Sequence, residues 1–474
     1  MDTNANEYDV IVIGAGAVGE NVADRVVKAG LTAVVVEHEL VGGECSYWAC
    51  MPSKTLLRGA AALRAARDVA GASEAVTSGI DVAATLRRRN EIVHDWKDDS
   101  QVRWLDSAGI PLVRGHARLR AEREVAVLAS DGTESLLTAR HAVAVCTGSA
   151  AFVPDVPGLA DAAPWTSREA TSVKDVPSSI AILGAGVVGA EMATFFASAQ
   201  SEVTMIARSG ILGAMEPFVG EHVAASLTLL GVDIRTGVGV EKVDRGEDGR
   251  VVVSLDDGNE VRADEVLVAT GRTPQTTDIG LETVGLEPGS WLEVDDTLRV
   301  PSTDWLYAVG DVNHRALLTH MGKYQARAAG DAIAARALGE DLDAAPWGRH
   351  VATADHSAVP QVVFTDPEAG SVGHTEQSAR RAGLAVRVLD YNLASLGGAA
   401  TYADSYRGHA RAIVDEERGV IVGATFVGPD TAELVHSATT AIVGEVPIER
   451  LWHAVPSYPT LSEVWLRWLE EYGR

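Results

Sequence analysis

Two cysteines are the residues best placed to do chemistry. Cys45 and Cys50 stand in the stretch Gly42-Gly43-Glu44-Cys45-Ser46-Tyr47-Trp48-Ala49-Cys50-Met51-Pro52-Ser53-Lys54. The chain has only 3 cysteines in 474 residues, which is no extracellular disulfide framework. A lone close pair suits a reducing cytosol, where disulfides are usually catalytic. Thiol exchange requires a stabilised thiolate. A helix starting near this loop and the nearby Lys54 would both lower the relevant pKa. Two other readings of the pair stay open on these residues alone. One is zinc ligation, which lacks two further cysteines and departs from C-x₂-C spacing. The other is a pair of independent structural thiols. The third cysteine, Cys146, lies inside an apolar strand pattern and reads as an inert core thiol.

The pair follows a cradle for a dinucleotide. Val10 to Ile13 is a β-branched run, the pattern of a buried parallel strand. It feeds Gly14-Ala15-Gly16-Ala17-Val18-Gly19, then a helical stretch from Glu20 to Ala29 closed by Gly30. A second strand, Ala33 to Val36, ends in Glu37, 23 residues after Gly14. Gly14 permits the tight turn, Gly16 admits a pyrophosphate to the backbone, and Gly19 lets helix and strand pack closely. The helix N-terminus offers N–H groups to the phosphates, and Glu37 can accept from adenosine ribose hydroxyls. Cysteines just downstream of such a cradle suggest a disulfide that exchanges electrons with a flavin.

The cradle recurs. Ile180 to Leu183 leads into Gly184-Ala185-Gly186-Val187-Val188-Gly189-Ala190-Glu191, a helical stretch to Ser198, and a strand from Glu202 to Ile206. The same 23-residue step from Gly184 reaches Ala207, followed by Arg208 and Ser209. No carboxylate repels a 2′-phosphate there, and Arg208 can pair with one. NADPH is therefore expected in preference to NADH. Three more strands fit an α/β sheet. Val143–Gly148 and Val266–Arg272 end in small-residue turns, and Leu306–Asp311 ends in an acid that an open sheet would place in its ligand crevice.

The remaining composition bounds the answer. The length implies about three domains. The net charge of -26 disfavours nucleic acid and anionic lipid as partners. The N-terminus has no basic and apolar leader pattern, and no apolar run is long enough to span a bilayer. The expectation is a soluble, cytoplasmic protein.

Together these residues resemble the pyridine nucleotide–disulfide oxidoreductases, over nearly the whole chain. The resemblance implies two Rossmann-like dinucleotide-binding domains and a C-terminal α+β dimerisation domain. It assigns FAD to Gly14, Gly16, Gly19, Glu37, Thr147, Gly148 and Asp311. Lys54 would lie beside the isoalloxazine with Glu191 as its carboxylate partner. Gly184, Gly186, Gly189, Arg208 and Gly271 complete the cofactor-binding set; no metal site is implied. Cys45 matches the interchange thiol and Cys50 the charge-transfer thiol. The expected segments are 1–155 and 275–345 for FAD, 156–274 for NAD(P), and 350–474 for the homodimer interface.

One departure stands out. The segment that such enzymes supply to the partner subunit reads Pro456-Ser457-Tyr458-Pro459-Thr460-Leu461-Ser462-Glu463. Most members have histidine where Tyr458 stands, paired with a glutamate at the place of Glu463. Tyrosine, with a reference pKa of about 10, is a poor proton shuttle at neutral pH. A relocated base at His453 is out of register. Tyrosine at this place resembles mercuric reductase and soluble transhydrogenase. However, the former's C-terminal cysteine pair is missing here, and the latter's usual lack of a second redox cysteine is not shared. Trp465, Trp468 and Tyr472 are expected at the dimer interface. The expected activity is electron transfer from NADPH through FAD and Cys45–Cys50 to a small-molecule acceptor: a quinone, a metal ion or an unusual disulfide. A dihydrolipoamide dehydrogenase with a relocated base and a non-enzymatic redox sensor are the alternatives.

Overall fold

The computed structural model describes residues 6–473. The chain forms two compact units. One comprises the chain up to Pro52 with Asn90–Ala150 and Arg272–His356; the other comprises Ser53–Arg89, Ala151–Gly271 and the chain from Ser357 onward.

In the first unit the β-branched run becomes the strand Glu7–Ile13, central in a seven-stranded sheet. Its side chains alternate between two cores, which is why the run is apolar throughout. Val10 and Val12 pack with Val22 and Val26 of the helix Ala17–Lys28. Ile11 and Ile13 pack with Leu119, Val125 and Trp305 on the other face. Leu112–Arg114, Ala33–Glu37, Glu7–Ile13 and Glu134–Val145 run parallel in that order, and Leu306–Ala308 pairs parallel with the end of Glu134–Val145. The antiparallel strands Glu124–Leu128 and His116–Ala121 continue from the start of Glu134–Val145. The helix Thr319–Leu338 lies against Ala17–Lys28 so closely that a Cβ on Gly330 would come 2.5 Å from that of Arg25. Arg25 and Asp331 pair across this contact at 2.6 Å.

The second unit contains a parallel sheet in the order Asp233–Thr236, Glu202–Ala207, Ser179–Leu183, Glu265–Val268. A three-stranded antiparallel sheet, Val240–Arg245, Val251–Leu255 and Glu260–Ala263, accompanies it. The helix Val187–Ser198 starts four residues before the expected Glu191, because the residues between the motif's last two glycines already form its first turn. Ala17–Lys28 likewise starts three residues before the expected Glu20. A five-stranded antiparallel sheet, ordered Pro360–Val363, Ala369–Gly373, Val420–Val427, His409–Asp415 and Val386–Asn392, carries the C-terminal region. The expected α/β class with two dinucleotide-binding folds and an α+β C-terminal region is the fold observed. One expectation is corrected: Trp468 is 1% exposed and packs on Phe426 of its own chain, at 5.5 Å between ring centroids. The helix Val464–Tyr472 turns its apolar stripe inward to cover the sheet. Among the described residues, no helix is long and apolar enough to cross a membrane.

Candidate active site

The cysteine loop is built onto the first cradle. Gly42 donates its N–H to Ala15 O at 2.8 Å, and a Cβ on Gly43 would come within 3.0 Å of Gly16 Cα. Cys45 sits in the short helix Gly43–Tyr47, and Cys50 opens the long helix Cys50–Arg67. Both are thiols here. Cys50 Sγ lies 3.3 Å from the hydroxyl of Thr319, the first residue of the helix Thr319–Leu338. The Cys45 thiol is pushed up, first by its hydrogen bond to Cys50, then by burial and by charge on Cys50; Thr319 and Lys323 oppose this. Cys50 is the thiol at the start of Cys50–Arg67 and against the first residue of Thr319–Leu338, where two helix N-termini favour a negative charge. Lys323 is a cation that acts on Cys45.

The first cradle fits a dinucleotide. Gly14 has φ +98°, and a Cβ there would strike Cys146 O at 2.6 Å; one on Gly19 would lie 1.9 Å from Gly14 O. The position in front of Gly16 is open, with only Gly43 Cα within 4 Å of an added Cβ. Glu37 is buried at its strand's end and accepts from the N–H groups of Ala15 and Glu39, each at 2.8 Å. Burial works against its charge, but His38 and these amides hold its carboxyl below the usual range. Thr147 Oγ1 is buried with no hydrogen-bond partner among the described residues, and Gly148 beside it has φ +72°. An orphaned hydroxyl beside an open glycine turn fits a polar cofactor group. Asp311 accepts from Ser149 Oγ at 2.6 Å and lies 3.9 Å from Arg272 Nε. Cys146 is buried, which pushes its thiol up and keeps it inert.

The second cradle repeats the geometry. Gly184 has φ +111°, a Cβ on it would lie 2.3 Å from Ala269 O, and one on Gly189 would lie 2.1 Å from Gly184 O. Gly186 has nothing within 4 Å of an added Cβ, which leaves room for phosphates. Gly271, with φ +149°, accepts the Phe152 N–H through its carbonyl. Arg208 is exposed just past the end of Glu202–Ala207. Glu191, in the first turns of Val187–Ser198, is 3% exposed. Its carboxylate receives Lys54 Nζ at 2.8 and 3.1 Å and the Phe364 N–H at 2.9 Å.

The C-terminal segment has a different character. Tyr458 is 78% exposed, with its ring against Gly397, where an added Cβ would come 3.0 Å from Cε2. Val455 is also exposed, as is His453. Glu463 is 4% exposed and accepts the Gly398 N–H at 3.4 Å. The exposed apolar Val455 and Tyr458 fit a surface that a second subunit covers. Sequence reasoning missed Thr319, Lys323, Ser149 and Arg272. Thr319 carried a usable signal, a threonine opening a helical pattern soon after the Gly310-Asp311 turn.

The comparisons agree with this geometry. Residues 8–330 match the pyridine nucleotide-disulphide oxidoreductase family, and residues 359–468 match its dimerisation domain. A dihydrolipoyl dehydrogenase from Haloferax volcanii is 33% identical over 97% of this chain and 95% of its own length. A mercuric reductase from Shigella flexneri is 30% identical over 96% of this chain and 79% of its own. The solved HOCl-induced flavoprotein disulfide reductase RclA from Escherichia coli is 25% identical with a TM-score of 0.81, covering 98% of this chain and 99% of that one. This family consists of FAD-dependent enzymes that use NAD(P)H, so the non-enzymatic alternative falls away. With two glycine cradles, a thiol pair built onto the first and a dimerisation domain, the chain belongs to the pyridine nucleotide-disulphide oxidoreductases.

Proposed function

We propose that the protein is a cytoplasmic homodimer that carries electrons from NADPH to an acceptor needing no histidine shuttle, either a quinone, a metal ion or an unusual disulfide. The observation that carries this reading is Tyr458, exposed in the register where a proton shuttle is expected. FAD, when bound, supplies two-electron transfer between the nicotinamide and the thiol pair. FAD would be held by Gly14, Gly16, Gly19, Glu37, Thr147, Gly148 and Asp311, in segments 1–155 and 275–345. Gly184, Gly186, Gly189 and Gly271 would hold the nicotinamide nucleotide within 156–274, with Arg208 on its 2′-phosphate. Residues 350–474 would form the subunit interface. Cys50 keeps the first negative charge of the reduced pair, and Thr319 stabilises it through its hydroxyl and helix N-terminus. Cys45 keeps its proton until the acceptor draws on it. Lys54 pairs with Glu191 and, as the family resemblance implies, would supply a positive charge to the isoalloxazine. Tyr458 donates a hydrogen bond or stacks on the acceptor; it does not serve as base.

The similarity to mercuric reductase supports a metal ion among the acceptors. The similarity to dihydrolipoyl dehydrogenase favours a second reading, lipoamide with a relocated base at His453. An acceptor screen with NADPH and NADH separates the two, using lipoamide, glutathione disulfide, quinones and mercuric ion. The proposal expects quinone or metal-ion turnover to exceed lipoamide turnover by at least tenfold. Lipoamide as the best acceptor would establish the second reading.

A further inference from the structure

Gln325 is fully buried on the helix Thr319–Leu338. A side-chain amide is costly to bury unless both of its ends are bonded. Here both are. Its Oε1 accepts the Gly310 N–H and the Asn313 side-chain amide, each at 2.8 Å. Its Nε2 donates to Asp355 Oδ2 at 2.9 Å. The Gly310 N–H, which can only donate, fixes the orientation of the amide. The Asp355 side chain is 0% exposed, and Arg315 Nη1 stands 3.8 Å from the same oxygen. Asn313 also donates to Ala308 O at 3.0 Å.

Gly310 and Asn313 flank Asp311. One amide therefore ties both sides of the Asp311 turn to a buried carboxylate. The turn needs that tie. Gly310 holds φ 86° and ψ -150°, a conformation glycine tolerates but does not specify. A Cβ there would also meet Val18 at 3.0 Å, so a stiffer residue would be strained in both backbone and packing. We propose that Gln325 and Asp355 are positioning residues for FAD, an amide–carboxylate strut that keeps Asp311 in place for the cofactor. This rests on the reading that Asp311 holds FAD.

The test measures FAD dissociation from purified holoenzyme by flavin fluorescence, with thermal unfolding of holoenzyme and FAD-stripped protein in parallel. Gln325→Leu leaves the Gly310 N–H and the Asn313 amide without their acceptor. The FAD dissociation constant is expected to rise about tenfold or more. Asp355→Leu, which leaves the Gly310 bond intact but removes the anchor and the carboxylate facing Arg315, is expected to raise it by about three- to tenfold. Asp355→Asn retains an acceptor oxygen for Gln325 and is expected to stay within about threefold of the parent. If Gln325→Leu does not accumulate as folded protein, the two Asp355 variants decide. Equal losses of thermal midpoint with and without FAD, at unchanged FAD affinity, would mean a purely structural role and overturn the proposal. Asp311→Ala is the control for the underlying reading. If Asp311→Ala leaves FAD affinity unchanged, the assignment of Asp311 fails. If Asp311→Ala weakens FAD and the strut variants do not, only the strut fails.

Discussion

Lys54 and Glu191 are 137 residues apart in sequence, yet Lys54 Nζ lies 2.8 and 3.1 Å from the two carboxylate oxygens. The carboxylate is 4% exposed and the lysine about a third exposed, so the pair is partly shielded from water. Glu191 also accepts the Phe364 N–H. It thereby joins three stretches of the second unit. We expect Glu191→Leu to lower unfolding stability by about 2 kcal/mol, discounted from a fully buried pair because Lys54 reaches solvent. Glu191→Gln keeps an acceptor for Phe364 and should lose less than half of that. Urea titrations of both variants measure the difference, and equal losses would assign the whole effect to charge.

The thiol pair makes a spectroscopic prediction. Two-electron reduction of the holoenzyme is expected to produce long-wavelength absorbance from the Cys50 thiolate. Cys50→Ser removes it. Cys45→Ser, with Cys50 left as a lone thiolate, shows the band without added reductant. Absorbance spectra under anaerobic NADPH titration decide, and parent-like behaviour in both variants would separate the cysteines from the flavin's redox chemistry.

Nucleotide preference tests Arg208. The parent is expected to favour NADPH in kcat/KM, and Arg208→Glu to reverse the preference. A guanidinium neutralises a 2′-phosphate, whereas a carboxylate repels it and accepts from ribose hydroxyls. Steady-state constants for both donors check this. Unchanged preference in the variant would remove Arg208 from the site.

Tyr458→His is expected to raise lipoamide reduction by at least tenfold, since general acid–base catalysis contributes about 10²–10⁴-fold. Glu463, in register five residues on, is available to orient the new imidazole. Quinone reduction should not change. Strong lipoamide activity in the parent, lost in His453→Ala, would instead show that the base had moved.

Glu20 gives a pH signature. Burial pushes its carboxyl up to about 7, against the pull of Lys323, and Oε1 has no hydrogen-bond partner among the described residues. An acid whose folded pKa is raised destabilises the fold once it is charged. Its penalty is absent below the unfolded value of about 4.3, grows as pH rises through about 7, and is constant above. Glu20→Gln should therefore raise the thermal midpoint at pH 8 and leave it nearly unchanged at pH 4. A gain of equal size at both pH values would mean that the charge is not responsible.

Both cradles were legible because each is local: strand, glycine turn and helix follow one another within about thirty residues, and the glycines are required where a Cβ would strike backbone. The cysteine loop was legible for the same reason. So was the dimerisation domain, whose segments follow one another along the chain. Distance in sequence hid the rest. Thr319 reaches Cys50 across 269 positions, Ser149 reaches Asp311 across 162, and Phe364 reaches Glu191 across 173. No periodicity or spacing encodes such meetings; they exist only once the sheets and helices have packed. The same holds for which cation acts on Cys45 and for Trp468 turning into its own chain. Sequence by itself determined the cofactor cradles and the kind of redox chemistry. Tertiary structure decided which side chains meet around the cradles and the thiols, because electrostatic partners are chosen by proximity in space.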